Sequence, residues 1–280
     1  MPKAIAEADT FLKKRLLASQ ELTDAEKIFV PKGHVFYVSK YVPDRNQHLY
    51  LTLASPLTAK DGKTQLQMVY AYGPHIRIEG SETQQVIKLP VTYRSQINNE
   101  TTLFGSGRRQ CNLTSCTMLA DYLLKGALSK WAKDRGFSEP ESVYMRILIK
   151  YGDTTDNDAQ TKALKALGID SYFSFSLSTK DVLDSLQAGI PVVVGFAYGS
   201  GGHICLVVGH DPIHKLWLVH DPFGIRHGAS DAYDIGAYGA YDHYSYDVFQ
   251  QLFLDSGGNT GWGRIVTSIA NKPTGMPTGL

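Results

Sequence analysis

Three apolar runs rich in Val, Ile and Leu follow one another after residue 189, IPVVVGFAYG, HICLVVGHD and KLWLVHDPFG, joined by turns containing Gly and Asp. Runs of this length, separated by such turns, predict three successive strands of one sheet. The triplet also puts His203 at the head of the second strand and Asp221 at the end of the third. The glycines of AYGSGG allow a turn and close backbone approach just before His203, leaving the ring at a strand mouth. Asp221 precedes Pro222, so its carboxylate can lie across the sheet beside His203 and fix the imidazole tautomer. The same Asp-Pro-Phe-Gly stretch is equally a turn former. By strand alternation His220 points to the opposite face.

Upstream, CNLTSCTMLADYLL reads as a helix, Asn112 to Gly126, with Leu113, Cys116, Met118, Leu119, Leu123 and Leu124 on its apolar surface. Cys111 falls at the N-terminus of that helix, where unpaired N–H groups and the helix dipole favour an anion and hence a thiolate. A thiol at a helix head, an imidazole at a strand mouth and a carboxylate on the next strand are the parts of a thiol hydrolase: Cys111 as nucleophile, His203 as base, Asp221 as the group that orients the base. Cys116 lies roughly 140° around the helix from Cys111, and Cys205 has apolar flanks on both sides. Both read as packing.

Composition removes several other classes. Lys and Arg number 28 against 27 Asp and Glu, without a basic block, so neither nucleic acid nor an anionic bilayer is the expected partner. Three cysteines are too few and too odd in number for a disulfide framework, and they lack metal-knuckle spacing. The nine histidines contain no H-E-x-x-H pattern, so a zinc amidase is not expected. GDTTDNDAQ, with Asp153, Asp156 and Asp158, lacks the central Gly and terminal Glu of a calcium loop and reads as helix capping by Thr155 or Asp156. No cofactor and no metal are expected. The N-terminal segment lacks the apolar core of a signal peptide, and no apolar run is long enough to span a bilayer. The expectation is a monomer made in the cytoplasm, without stable membrane insertion. A substrate outside the membrane would then require release by a holin or another route.

Ile5, Ala8, Phe11, Leu12 and Leu16 recur at helical spacing, which predicts a helical lead-in over residues 1–26. From residue 27 to 88 the pattern becomes short β-prone stretches broken by Pro, Gly, Asp and Asn, the signature of a small β-barrel. The third region, 89–280, opens on an extended stretch ending in Gln96. It continues through the Cys111 helix, two further helices at 140–149 and 156–167, a strand and short helix before Gly189, and the strand triplet. The Tyr-rich tail Tyr233 to Tyr246 reads as an ordered loop, placed over the groove or packed on the surface. Trp217 and Trp262 are candidates for the wall of the site or for core packing.

LPVTYRSQINNE, RQCNLTSCTMLADYL, AGIPVVVGFAYGSGGHICLVVGHD and KLWLVHDPFG, in this order, resemble the C39-like branch of the papain-type cysteine peptidases. The resemblance covers about residues 89 to 269. It implies an α+β fold, a papain-like domain of helical lobe plus antiparallel sheet. It also assigns Cys111 as nucleophile, His203 as general base and then acid, Asp221 as orienting residue and Gln96 as oxyanion donor. Many relatives carry Gly after the cysteine where this chain has Asn112. No G-x-x-x-x-G-K-[ST] loop accompanies the domain, which sets it apart from exporters that trim leader peptides. The N-terminal stretch TFLKKRLLASQELTDAEKIFVPKGHVFYV resembles the SH3-like modules found beside cell-wall hydrolases, with His34, Tyr37, Tyr41 and Tyr50 as candidate ligand-binding residues. Together these resemblances imply an endolysin-like enzyme that cuts an amide bond in bacterial cell-wall peptidoglycan. A cysteine peptidase acting on protein or peptide substrates is the alternative. Endopeptidase and amidase action stay equally open, because both are amide hydrolyses.

Overall fold

The computed structural model describes residues 2–44, 46–79, 86–199, 201–254 and 256–270. The chain divides into two compact units, Met1–Gln84 and Gln85–Leu280.

The first unit is built from seven strands, β1 (Lys3–Ala6), β2 (Thr10–Lys13), β3 (Lys27–Val30), β4 (Val35–Pro43), β5 (His48–Thr58), β6 (Gln65–Tyr72) and β7 (Ile76–Glu79). They form one antiparallel sheet in the order β3-β2-β6-β5-β4-β1-β7. The helical lead-in expected over residues 1–26 is replaced by β1, β2 and two short 3-10 turns. The reason is visible in burial: Ala4 and Ala6, then Thr10 and Leu12, alternate inward with period two, and each short strand pairs on both sides with residues distant in sequence. Nonlocal pairing overrides a five-residue helical coincidence. The inward face is mostly aliphatic, with Leu12, Val38, Leu51, Leu53 and Val69 at its centre.

The second unit begins with β8 (Ile87–Lys88) and continues through α1 (Cys111–Leu123), α2 (Ala127–Asp134), α3 (Pro140–Leu148), α4 (Asn157–Ala166), β9 (Ile169–Leu177), α5 (Thr179–Gln187), β10 (Val192–Tyr198) and β11 (Gly201–Asp211). It closes with β12 (Leu216–His220), β13 (Gly224–Arg226), β14 (Tyr233–Ile235), β15 (Asp242–Ser245), α6 (Tyr246–Phe253) and β16 (Gly261–Ile269). Six strands make an antiparallel sheet in the order β15-β12-β11-β10-β16-β9, and β8 adds to β11. Alternation splits the sheet cleanly. Val193, Ile204, Leu206 and Val208 face a core shared with α1, α3 and α4, whereas Val192, Val194, Phe196, Cys205 and Val207 face one shared with α5 and α6. Burial on both faces is why β10 and β11 read as continuous apolar runs. The Tyr-rich tail, expected as a loop, contains β14 and β15 and ends at the first residue of α6, with β15 pairing along β12.

Asp156 caps α4, its carboxylate accepting from the backbone N–H of Asp158 at 2.8 Å and Ala159 at 3.1 Å, while Asp153 pairs with Arg109 at 2.8 Å. Trp217 stacks on Phe249 at 4.6 Å inside the core and does not wall the site. The ring of Trp262 lies over Gly195 and Gly202, where an added Cβ would come within 2.2 and 2.3 Å of it.

Glu141, in the first turn of α3, is buried, and its Oε2 has no hydrogen-bond partner among the described residues. Burial pushes this carboxyl up to about 8, with Glu139 and Asp121 reinforcing the rise and Arg94 opposing it. The folded chain therefore binds more protons than the unfolded chain between about pH 4.5 and 8, so this contribution to stability is complete below that span and is lost as pH rises through it. Chemical denaturation across the span should show Glu141→Gln flattening the decline and unfolding a few kcal/mol later than the parent above pH 8, roughly.

Candidate active site

Cys111 is the first residue of α1 and is half-buried. Its thiol meets the imidazole of His203, at the start of β11. The other side of that imidazole is fixed: Nε2 lies 2.7 Å from Oδ1 of Asp221, with His203 only 5% exposed and Asp221 fully buried. Nδ1 is therefore the nitrogen left for the thiol. Burial raises the Cys111 thiol pKa, but the His203 hydrogen bond and positive charge outweigh it and hold the thiol below its ordinary value. Burial likewise opposes charge on His203, yet the Asp221 carboxylate holds the imidazolium well above the ordinary histidine range. Cys205 adds no charge here, because burial pushes its thiol far up and keeps it neutral. Both shifts favour a thiolate beside an imidazolium, a nucleophile with its proton donor loaded.

Residues 88–251 match the Peptidase_C39 like family, which is more than half of the chain. The chain belongs to the C39-like cysteine peptidases. No curated protein matches it.

Within this C39-like domain the carboxylate is held from all sides. Oδ1 of Asp221 also accepts from the Phe223 N–H at 2.9 Å, and Oδ2 accepts from the hydroxyls of Tyr233 and Tyr244, both at 2.9 Å. Burial first, then the nearby Asp221 charge, pushes both phenols upward, so they stay protonated and donate. Burial penalises the Asp221 charge, but His203 and these donors keep its carboxyl below the ordinary range. Phe223 and Tyr233 stand at 5.8 Å from the His203 ring, and Tyr198 at 6.2 Å. This tyrosine pair was not singled out in the sequence; the contacts span 12 and 23 residues and no local periodicity marks them. Removing one charge-assisted hydrogen bond to a buried carboxylate costs about 1.5–3 kcal/mol. Thermal unfolding of Tyr233→Phe should show a loss of that size, and Tyr244→Phe, at the deeper tyrosine, at least as much.

Gln96 is fully buried, and Nε2 donates to the carbonyls of Gly107 at 2.9 Å and Arg108 at 3.0 Å. Both amide hydrogens thus brace the loop that leads into Cys111, while Oε1 has no partner among the described residues. Asn112, the departure from the Gly of many relatives, turns toward α4, where its Nδ2 donates to Asn157 at 3.0 Å. The first N–H groups of a helix have no partner within it, so the Cys111 N–H, at the head of α1, can meet a developing oxyanion, while the Asn112 N–H bonds the Cys111 sulfur.

His220, next to Asp221, serves the scaffold. Its Nε2 donates to the Val91 carbonyl and its Nδ1 accepts from the Tyr241 N–H, both at 3.0 Å, and burial lowers it to about 4. Among the described residues, His203, Cys205 and Asp221 are the one group whose potential metal-ligand atoms lie within 4.8 Å of one another. The His203–Asp221 hydrogen bond and the tyrosine donors already engage the imidazole and carboxylate atoms, so the donor set fits an orienting pair better than a cation. No helix among the described residues is long and apolar enough to cross a membrane.

Proposed function

We propose that this cysteine peptidase is a peptidoglycan hydrolase that cuts an amide bond in the stem peptide or cross-bridge. The observation that carries the chemistry is the Cys111–His203–Asp221 chain, with its thiol lowered and its imidazole raised. The wall as substrate is supported by the strand-rich N-terminal unit joined to the peptidase in one chain.

In this reading the Cys111 thiolate attacks the scissile carbonyl and the tetrahedral oxygen is met by the Cys111 N–H. Gln96 serves as second donor when one of its hydrogens exchanges a loop carbonyl for the substrate oxygen. His203, held by Asp221, passes its proton to the leaving amine, then deprotonates the water that hydrolyses the thioester. Rate should fall on the acid side as the thiolate is protonated, below the ordinary thiol value, and on the alkaline side as the imidazolium is lost, above the ordinary histidine value.

Mass spectrometry of fragments released from purified peptidoglycan by the intact protein and by Cys111→Ala, with a denatured protein digested in parallel, tests the assignment. New amine termini in wall peptides, absent with the variant, are the expected result. Cys111-dependent cleavage of the denatured protein alone, with an untouched wall, would replace the wall by protein substrates.

A further inference from the structure

The N-terminal unit turns aromatic rings outward. On the face of β3, β2, β6 and β5 opposite the aliphatic core, cross-strand neighbours pair as rings: Phe11 with Phe29 at 5.4 Å, Tyr50 with Tyr70 at 4.8 Å and His48 with Tyr72 at 5.5 Å. His75 stands edge-on to Tyr72 at 4.9 Å. A sheet that needed these rings for its own core would bury them, whereas Leu12, Leu51, Val69 and Ala71 do that work on the other face. Part of the stripe opens into a cleft of about 300 Å³, lined by Thr10, Phe11, Lys13, His48, Tyr72 and His75.

Polar side chains stand beside the rings, because Asp9 and Ser19 line the cleft together with Thr10 and Lys13. An occupant must therefore bring several hydrogen-bonding groups as well as an apolar face for the rings. Residues 1–84 carry eleven Lys and Arg against nine Asp and Glu, which gives a polyanion little to hold it. A proline-rich strand would match the rings but offers few donors.

We propose that this cleft binds a neutral amino-sugar strand, its pyranose faces stacked on Tyr72 and Phe11 and its hydroxyl and acetamido groups paired with the polar side chains that line the cleft. The source of that strand, the glycan backbone of the wall, rests on the hydrolase reading above; the binding chemistry does not. The residues differ from those favoured by sequence, since His34, Tyr37 and Tyr41 do not line this cleft and Tyr50 belongs to the adjoining stripe.

The test uses the full-length Cys111→Ala protein, followed through its histidine ring NMR signals while peptide-free N-acetylglucosamine oligomers or free stem peptides are added. The oligomers should move the His48 and His75 signals, and Tyr72→Ser should weaken binding at least tenfold with its circular dichroism unchanged. Signals that respond to stem peptides and not to oligomers, or to neither, overturn the proposal without using any variant of the cleft. Fragment release by the active protein without oligomer binding sinks this inference alone. Oligomer binding without fragment release supports the cleft and removes the hydrolase.

Discussion

Asp221→Ala is expected to destabilise the catalytic unit by about 3–5 kcal/mol, the usual cost of breaking a buried ion pair from one side. The carboxylate is fully buried and accepts four hydrogen bonds, from His203, Phe223, Tyr233 and Tyr244. Alanine leaves all four donors facing a void. In a unit of this size such a loss lowers the unfolding temperature by on the order of 10 °C, measurable by calorimetry. Asp221→Asn separates scaffold from chemistry. It keeps the volume, yet its amide must turn an N–H toward either His203 or the two hydroxyls, each of which already donates. Turnover should fall by about 10⁴-fold, as happens when the orienting carboxylate of a triad loses its charge, with a smaller loss of stability than for alanine. Near-parental turnover by Asp221→Asn would show that His203 needs no charged partner.

His203→Ala is expected to lower kcat by about 10⁴-fold or more, because nucleophile and base act as one unit and removal of either takes nearly the whole effect. It should also raise the Cys111 thiol to the ordinary range or above, since the His203 hydrogen bond and charge are what offset the burial penalty there. Stability should change with pH in a defined direction. The depressed Asp221 carboxyl contributes stability that is present above its unfolded value and lost as pH falls through its folded value. Without the imidazolium that depression shrinks, so the variant should lose less stability than the parent on acidification. Parallel acid unfolding curves for the two proteins would contradict this.

The three residues of the site were legible because each sits where local sequence marks it. Cys111 heads a helix, His203 follows a glycine turn near a strand mouth, and Asp221 directly follows a strand and precedes Pro222. What holds them was not legible. Tyr233 and Tyr244 reach Asp221 from a segment with no clear period, and their contacts exist only once β14 pairs with β13 and β15 pairs along β12. Gln96 was marked as a position, but its bonds to Gly107 and Arg108 depend on a loop whose path no pattern specifies. The first thirteen residues misled for a related reason. Four-residue strands such as β1 and β2 show no more than two alternations against a helical coincidence, and their pairing with β4, β7, β3 and β6 decides the outcome. The β10 to β12 triplet was readable because burial on both faces leaves an apolar run that few other structures produce.

The mechanism requires Cys111 to be a thiolate made by His203. The most direct measurement is the rate of Cys111 alkylation by iodoacetamide across pH in the native protein, mapped by mass spectrometry and repeated with His203→Ala. Cys116 and Cys205 are fully buried with raised thiols, so the native label should fall on Cys111 alone. Labelling of the parent should set in at lower pH than for an ordinary thiol of about 8.5, and in the variant it should shift to the ordinary range or higher. Labelling that follows an ordinary thiol in both proteins would contradict the mechanism.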